Sequence, residues 1–227
     1  MKLECLYSGG KDSNYALYWA LNQGFEITNL VTIRPKSEDS FMYHKPCLQH
    51  VKLQAESIGI PLIEKESQGI KEEELKELED VLSKLDVDGV ISGAVASEYQ
   101  KTRIEAIGER LGFRTYSPLW HKNQRQLLED INNAGFKAII VGIAAEGFDE
   151  SWLGRQINKE TIEELERLHK KYGINITGEG GEYETFITYG PTFKKKVEIQ
   201  HLKKKMQNRN TGTLEIRKAM LKNASAT

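Results

Sequence analysis

The sequence predicts an α/β protein with a mostly parallel sheet and helices on both faces, followed by a smaller mixed α+β domain. Three observations support this fold class. Short apolar runs alternate with segments of helical periodicity over the first two-thirds of the chain, Gly, Pro or polar residues bound each run, and the alternation changes after Gly147. Strands that alternate with helices form right-handed crossovers, and these produce parallel sheets.

The elements of the first domain follow from these patterns in order. Six apolar runs are predicted strands: residues 3–7, 27–33, 61–63, 89–95, 114–116 and 138–143. Apolar residues at helical spacing predict helices within 15–21, 75–85, 104–111 and 127–131.

The second domain has a different order of elements. A helix over about 158–172 precedes two strand candidates, 197–206 and 213–220, which a hairpin loop joins. We therefore expect a first domain at 1–147 and a second at 148–227.

The composition is that of a globular protein. The 227 residues are 39% hydrophobic and 29% charged with a net charge of −1, which excludes disorder, collagen and coiled coil as descriptions of the whole chain. The longest apolar run, 138–145, is shorter than the roughly 18 to 20 residues of a membrane span, and the N-terminus has no signal-peptide layout. We expect a cytoplasmic protein whose two cysteines, Cys5 and Cys47, are reduced structural thiols.

Charge is concentrated at the C-terminus. Between Lys194 and Lys222, ten Lys and Arg residues face only Glu198 and Glu215, a local charge of +8 that leaves −9 on the rest of the chain. This segment is either the solvated face of a terminal strand pair or a docking surface for an acidic partner or RNA.

A glycine-rich loop directly follows the first strand. Its residues are Ser8, Gly9, Gly10, Lys11, Asp12 and Ser13, and a predicted helix begins directly behind them. The glycines permit a sharp turn that brings backbone N–H groups near an anion at the positive end of the helix dipole. The serines add hydroxyl donors, the lysine a cation, and the aspartate a ligand for Mg²⁺. The loop fits a triphosphate, although it matches neither GxxxxGK[ST] nor GxGxxG; the alternative is a plain strand-to-helix turn.

The sequence SGGKDS resembles the PP-loop of the ATP pyrophosphatases, which cleave ATP between the α and β phosphates. The resemblance implies that the loop holds the pyrophosphate while a substrate oxygen attacks the α-phosphate. A nitrogen or sulfur nucleophile then displaces AMP.

Two further segments carry polar side chains suited to a site. Ligands of open parallel sheets bind beyond the carboxyl ends of the strands, and the fourth predicted strand ends in SGAVASEYQ with Arg103 one turn later. Gly93 would admit a nucleotide near the backbone, and Ser97 either faces the nucleotide or only caps the next helix.

The loop at 178–185, GEGGEYET, places Glu179, Glu182 and Glu184 on a flexible chain. It can bind a cation or an amine, or it is a solvated turn.

The combination of SGGKDS, GEGGEYET, ESWLGR at 150–155 and the EYQ segment resembles the diphthine ammonia ligase family, over roughly residues 3–192. This family has a HUP-type (adenine nucleotide alpha hydrolase-like) ATP-binding fold, with the GEGGEYET domain closing a cleft for the modified histidine. The resemblance implies that Lys11 and Asp12 are catalytic, that Asp12 holds Mg²⁺, and that ATP is bound by Ser8, Gly9, Gly10, Lys11, Asp12, Ser13 and Gly93. Substrate-binding residues would be Ser97, Glu98, Gln100, Arg103, Glu179, Glu182 and Glu184.

The implied reaction converts diphthine on translation elongation factor 2 to diphthamide. The diphthine carboxylate attacks Mg-ATP to form an acyl adenylate and pyrophosphate, and ammonia then releases AMP. No glutaminase motif is evident, so free ammonium is the expected nitrogen donor. Two alternatives remain open: a PP-loop enzyme that adenylylates a tRNA base, although the lysines lack interleaved aromatics, and a nucleotide-binding module without turnover. The sequence also leaves a homodimer open.

Overall fold

The computed structural model describes residues 1–35, 47–67 and 71–223. In chain order the elements are β1 (Lys2–Leu6), α1 (Lys11–Asn22), β2 (Glu26–Pro35), α2 (Val51–Ile58), β3 (Leu62–Ser67), α3 (Lys71–Leu82), β4 (Gly89–Ile91), α4 (Glu98–Leu111), β5 (Arg114–Tyr116), α5 (Gln124–Asn133), β6 (Lys137–Ala144), α6 (Lys159–Tyr172), β7 (Tyr183–Tyr189), β8 (Lys195–Met206) and β9 (Thr211–Asn223). Short 3-10 turns span Leu48–His50 and Glu150–Trp152.

These elements form two compact units. Of the described residues, the first unit contains 1–8, 12–35, 60–67 and 71–120, and the second contains 9–11, 47–59 and 121–223. The segment SGGKDS has residues in both units, whereas GEGGEYET lies in the second unit.

The first unit is built on a five-stranded parallel sheet in the order β3-β2-β1-β4-β5. Apolar residues of its central strands lie in the core, where Leu3, Leu30 and Val90 are completely buried. Leu78 and Leu82 of α3 pack with residues of β2, β4 and α4 in one apolar cluster. The direction of the strand order reverses between β1 and β4, and ligands of doubly wound sheets bind at such a point. The predicted α/β class is confirmed.

The second unit contains a separate antiparallel sheet in the order β7-β6-β9-β8, together with α5 and α6. The hairpin of β8 and β9 confirms the two strands predicted for the basic C-terminal segment. Asn158 caps α6 by accepting a hydrogen bond from the Thr161 N–H, and Gly173 ends the helix in the left-handed conformation.

The strand predicted at 138–143 forms but lies in the second sheet, where it pairs antiparallel with β7 and β9. Counting it as a parallel strand of the first sheet was wrong. A continuous apolar run suits the centre of any sheet, and its sequence carries no information about which strands flank it.

Two further local differences matter for the site. Tyr183, Glu184 and Thr185, expected in a turn-rich loop, begin strand β7. Residues 51–58, for which no element was predicted, form α2.

No helix of the described chain is both long enough and apolar enough to cross a membrane.

Candidate functional site

The ends of the glycine loop belong to the first unit. Ser8 and Ser13 lie side by side, because their Oγ atoms are 3.3 Å apart and the Ser8 N–H donates to Ser13 Oγ. Just outside this pair, the Tyr7 hydroxyl donates to Oδ1 of the fully buried Asn14, which anchors the first turn of α1 to the end of β1. The two predicted hydroxyl groups are therefore brought together at the N-terminus of a helix, where the dipole favours an anion.

The middle of the loop belongs to the second unit. Gly9 has φ +77°, a left-handed conformation that favours glycine, and its carbonyl accepts a hydrogen bond from the Ile187 N–H of β7 at 3.0 Å. The Lys11 N–H donates to Oγ1 of Thr185 at 3.0 Å. The loop backbone is therefore tied to strand β7 at two points.

The side chain of Lys11 lies near the loop at 178–185, GEGGEYET, which we call the acidic glycine loop. It is only 3% exposed, its Nζ donates to the Thr177 carbonyl at 2.6 Å, and it lies 5.4 Å from the centre of the Tyr183 ring. A buried ammonium needs such partners, since an unpaired one is costly. The contact of Lys11 with phosphate stays a prediction.

Gly93 follows β4 and packs against the start of α1. A Cβ atom at this position would lie 2.6 Å from the Asp12 carbonyl carbon and 2.7 Å from the Ser13 nitrogen, both backbone atoms. The structure therefore gives Gly93 a packing role beside the glycine loop, and its expected contact with adenosine stays a prediction.

The segment after Gly93 forms the start of α4. Ser97 is the N-cap, since its side chain accepts a hydrogen bond from the Gln100 N–H. The Arg103 guanidinium stacks on the Tyr99 ring at 3.3 Å from its centre, and Glu98 is exposed in the first turn. These residues share one helix end, while their contact with substrate stays a prediction.

Glu182 organises the acidic glycine loop. Its two carboxylate oxygens accept hydrogen bonds from the backbone N–H groups of Asn175 at 2.7 Å and Gly180 at 2.9 Å. The Asn175 Oδ1 atom in turn accepts hydrogen bonds from the backbone N–H and the hydroxyl group of Thr177. Glu182 therefore has a structural part in the loop in addition to the predicted part in substrate binding.

Tyr183 anchors the end of the acidic glycine loop, where strand β7 begins. Its ring is buried and its hydroxyl donates to the Ile176 carbonyl at 2.7 Å. Glu179 and Glu184 are half-buried on the same loop and strand. The three predicted carboxylates thus lie within one unit, on a loop shaped by left-handed glycines at 178 and 181.

The ESWLGR segment supports this unit from within. Arg155 forms a bidentate ion pair with Glu164 at 2.6 and 2.7 Å and stacks on Trp152. Trp152 contacts Phe148 edge to face, and Phe148 also packs near the Tyr183 ring. The ESWLGR segment, one of those that carry the family resemblance, therefore belongs to the packing behind the acidic glycine loop.

Both cysteines are buried thiols. Burial raises the pKa of the Cys47 thiol to about 12 and also raises the pKa of the fully buried Cys5 thiol. Cys47 precedes the first 3-10 turn, and its Sγ lies 3.6 Å from the Leu214 carbonyl oxygen. Within the described ranges, no group of three or more His, Cys, Asp or Glu side chains is placed to hold a metal ion.

Several polar residues around the loop were not identified from the sequence. They are Asn14, Gln54, Asn175, Thr177 and Thr185. For Gln54 a signal was present, since apolar residues 51, 55 and 58 follow helical spacing, and a glutamine on the same face needs hydrogen-bond partners inside the protein.

Comparison with known proteins supports the family resemblance along nearly the whole chain. Residues 1–115 match the family model described as diphthamide synthase N-terminal domain, and residues 123–221 match the diphthamide synthase C-terminal domain. Proteins named diphthine–ammonia ligase are 34% identical over 222 residues in Bos taurus and 35% identical over 221 residues in Danio rerio. These alignments cover 88% of this chain and 83% and 86% of the relatives.

Longer relatives exist as well. The diphthine–ammonia ligase of Schizosaccharomyces pombe is 35% identical over 219 residues, which are 88% of this chain but 36% of that protein. Among solved structures, a predicted subunit of tRNA methyltransferase from Methanocaldococcus jannaschii is similar with a TM-score of 0.49 and 15% identity, covering 84% of this chain and 98% of that one.

Proposed function

Because the chain belongs to the diphthamide synthase family, we propose that it is the ligase that converts diphthine on translation elongation factor 2 to diphthamide, using ATP and ammonium. The observation that carries this proposal is the family match over both parts of the chain. The matched part of the chain includes a serine-flanked glycine loop at the point where the strand order reverses.

ATP is the proposed nucleotide substrate, and the loop from Ser8 to Ser13 is its proposed pyrophosphate site. Paired hydroxyls and backbone N–H groups at a helix N-terminus suit an anion, and such a site accelerates phosphoryl chemistry by positioning and charge stabilisation. Lys11 lies in the same loop, and its buried ammonium is held by protein carbonyl and ring groups.

Mg²⁺ fits this loop through one residue. Asp12 is a half-buried carboxylate in the first turn of α1, and a magnesium ion that accompanies a nucleotide needs only one or two protein carboxylates besides phosphate oxygens. When bound, the ion would neutralise charge on the phosphates.

The proposed chemistry has two steps. An oxygen of the diphthine carboxylate attacks the α-phosphorus of ATP, the α–β phosphoanhydride bond breaks, and pyrophosphate leaves. Ammonia then attacks the acyl carbon of the adenylate, AMP leaves with the bond electrons, and the nitrogen loses a proton to give the amide. Ammonium is the proposed nitrogen donor, and the two buried thiols, whose pKa values are raised, have no part in the proposed reaction.

The acceptor side is proposed to include Glu179, Glu182 and Glu184. Carboxylates and an aromatic ring complement the permanent cation of diphthine, a trimethylammonium group. Substrate binding by Ser97, Glu98, Gln100 and Arg103 stays a prediction. The domain bounds 1–147 and 148–227 and a cytoplasmic location also stay predictions.

The proposal is tested by incubating the chain with Mg-ATP, ammonium and elongation factor 2 bearing diphthine, while AMP and the mass of the factor are followed. We expect AMP together with the mass change of an acid becoming an amide. Asp12→Asn should abolish both signals, whereas Asp86→Asn, which removes an exposed carboxylate from the same unit, should leave them unchanged.

Other outcomes assign other functions. AMP without a change in the factor would reject diphthine as the acceptor and retain a ligase. AMP that depends on added tRNA would indicate RNA modification, and nucleotide binding without AMP would indicate a binding module.

A further inference from the structure

Gln54 is a fully buried amide on the apolar stripe of α2. Its Nε2 donates two hydrogen bonds, one to the Gly9 carbonyl at 3.0 Å and one to the Ile187 carbonyl at 2.7 Å. The side chain therefore joins the phosphate loop to strand β7 inside the second unit.

The contact has a third member, because the Ile187 N–H also donates to the Gly9 carbonyl at 3.0 Å. The Gly9 carbonyl oxygen thus accepts hydrogen bonds from a backbone donor and a side-chain donor. The Gln54 amide also donates a hydrogen bond to the Ile187 carbonyl. Two donors converging on one oxygen leave the Gly9–Gly10 peptide little freedom to rotate.

The direction of that peptide matters for an anion. The Gly9–Gly10 bond is trans, and in a trans peptide the C=O and the following N–H point to opposite sides. Holding Gly9 O toward Gln54 and Ile187 therefore directs the Gly10 N–H away from β7.

Steric contact reinforces this arrangement. A Cβ at Gly9 would lie 2.4 Å from Gln54 Oε1 and 3.1 Å from Val51 Cγ2. The Gln54 amide thus fills the space that a side chain at position 9 would need, and it packs against a glycine whose φ of +77° permits the turn.

We propose that Gln54 is a positioning residue for nucleotide binding: it fixes the Gly9–Gly10 peptide so that the Gly10 N–H contributes to the pyrophosphate site. This inference rests on the proposed function, since it requires the loop to bind the phosphates of ATP. Gln54 acts through Gly9 and has no contact of its own with substrate in this role.

The test compares Gln54→Met with Ser57→Ala. Both residues are buried on α2 and both hydrogen-bond to the backbone of the second sheet, Ser57 through the N–H and carbonyl of Lys195. Methionine keeps the length of glutamine but has no N–H donor. We expect Gln54→Met to raise the KM for ATP and the dissociation constant of inorganic pyrophosphate by about tenfold or more, with the acceptor KM within about twofold. Ser57→Ala should change neither ATP nor pyrophosphate binding.

A second measurement does not depend on the folding of Gln54→Met. In the unsubstituted chain, the Gly10 amide resonance should shift on titration with inorganic pyrophosphate and magnesium. Absence of a Gly10 shift while Ser8 or Ser13 responds would overturn the inference, as would equal changes in ATP affinity for the Gln54 and Ser57 variants.

Failure of the proposed function gives a different result. If the unsubstituted chain binds neither Mg-ATP nor pyrophosphate, the ligase proposal fails and Gln54 loses its role with it. If the unsubstituted chain binds both and Gln54→Met binds them equally well, only the role of Gln54 is refuted.

Discussion

Gly93→Ala tests the close packing of the segment that follows β4 against the start of α1. The added methyl group would lie 2.6 Å from the Asp12 carbonyl carbon, 2.7 Å from the Ser13 nitrogen and 2.9 Å from the Asp12 carbonyl oxygen. All three are backbone atoms, so no side-chain rotation relieves the overlap. The first turn of α1 has to move by about 0.8 Å to reach ordinary contact distance.

Two magnitudes follow from this displacement. Overpacking of a buried site costs typically about 1 to 3 kcal/mol of unfolding free energy. A misplacement approaching 1 Å at a reacting site lowers the rate by about 100-fold, so AMP formation by Gly93→Ala should fall by about 10- to 100-fold.

The control is Gly24→Ala. Gly24 has φ +79°, and no heavy atom of the described residues lies within 4 Å of the position that its Cβ would take. Alanine there costs about 1 kcal/mol through backbone strain alone and far from the loop. Denaturant unfolding measures both stabilities, and AMP release measures both rates. A Gly93→Ala protein with unchanged ATP affinity and AMP rate would refute the packing argument.

Three further predictions concern the rest of the molecule. Iodoacetamide at about pH 8 should leave Cys5 and Cys47 unmodified in the native protein and alkylate both after unfolding, because burial raises both thiol pKa values; rapid native labelling would contradict this. Arg155 lowers the pKa of the Glu164 carboxyl, so this pair adds stability above the unfolded pKa near 4.5 and loses it as the pH falls through the lower folded pKa. The Tm difference between the native chain and Glu164→Gln should therefore shrink from about pH 7 to about pH 3, and a constant difference would exclude a titrating pair. Glu182→Gln replaces one of two carboxylate acceptors by an amide donor and should raise the acceptor KM by about tenfold with a smaller change for ATP, as measured by AMP release; a defect confined to ATP would place this loop at the nucleotide instead.

Much of the local structure could be predicted from the sequence. Five of the six apolar runs predicted as strands of the first domain lie in the parallel sheet, and Ser97 was recognised as a possible helix cap because capping depends on its immediate neighbours. The hairpin of basic residues was equally local, since its loop directly joins two alternating strands.

Contacts between distant positions could not be predicted in this way. Gln54 bonds to residues 45 and 133 positions away, and the partner of Lys11 Nζ lies 166 positions away. Neither pairing has a signature in the residues near it. Residues 138–143 were assigned to the wrong sheet for the same reason, since an apolar strand suits either one.

The sequence by itself determined the α/β class and the family resemblance, because these depend on residue type and short spacing, and the phosphate chemistry of the glycine loop stays a prediction from the same residues. Tertiary structure alone decided that β6 joins the antiparallel sheet, that Glu182 ties its own loop together and that Gln54 holds the Gly9 carbonyl. The physical reason is that hydrogen bonds and packing contacts form between groups that the folded chain brings within reach, and their order along the sequence does not specify which groups those are.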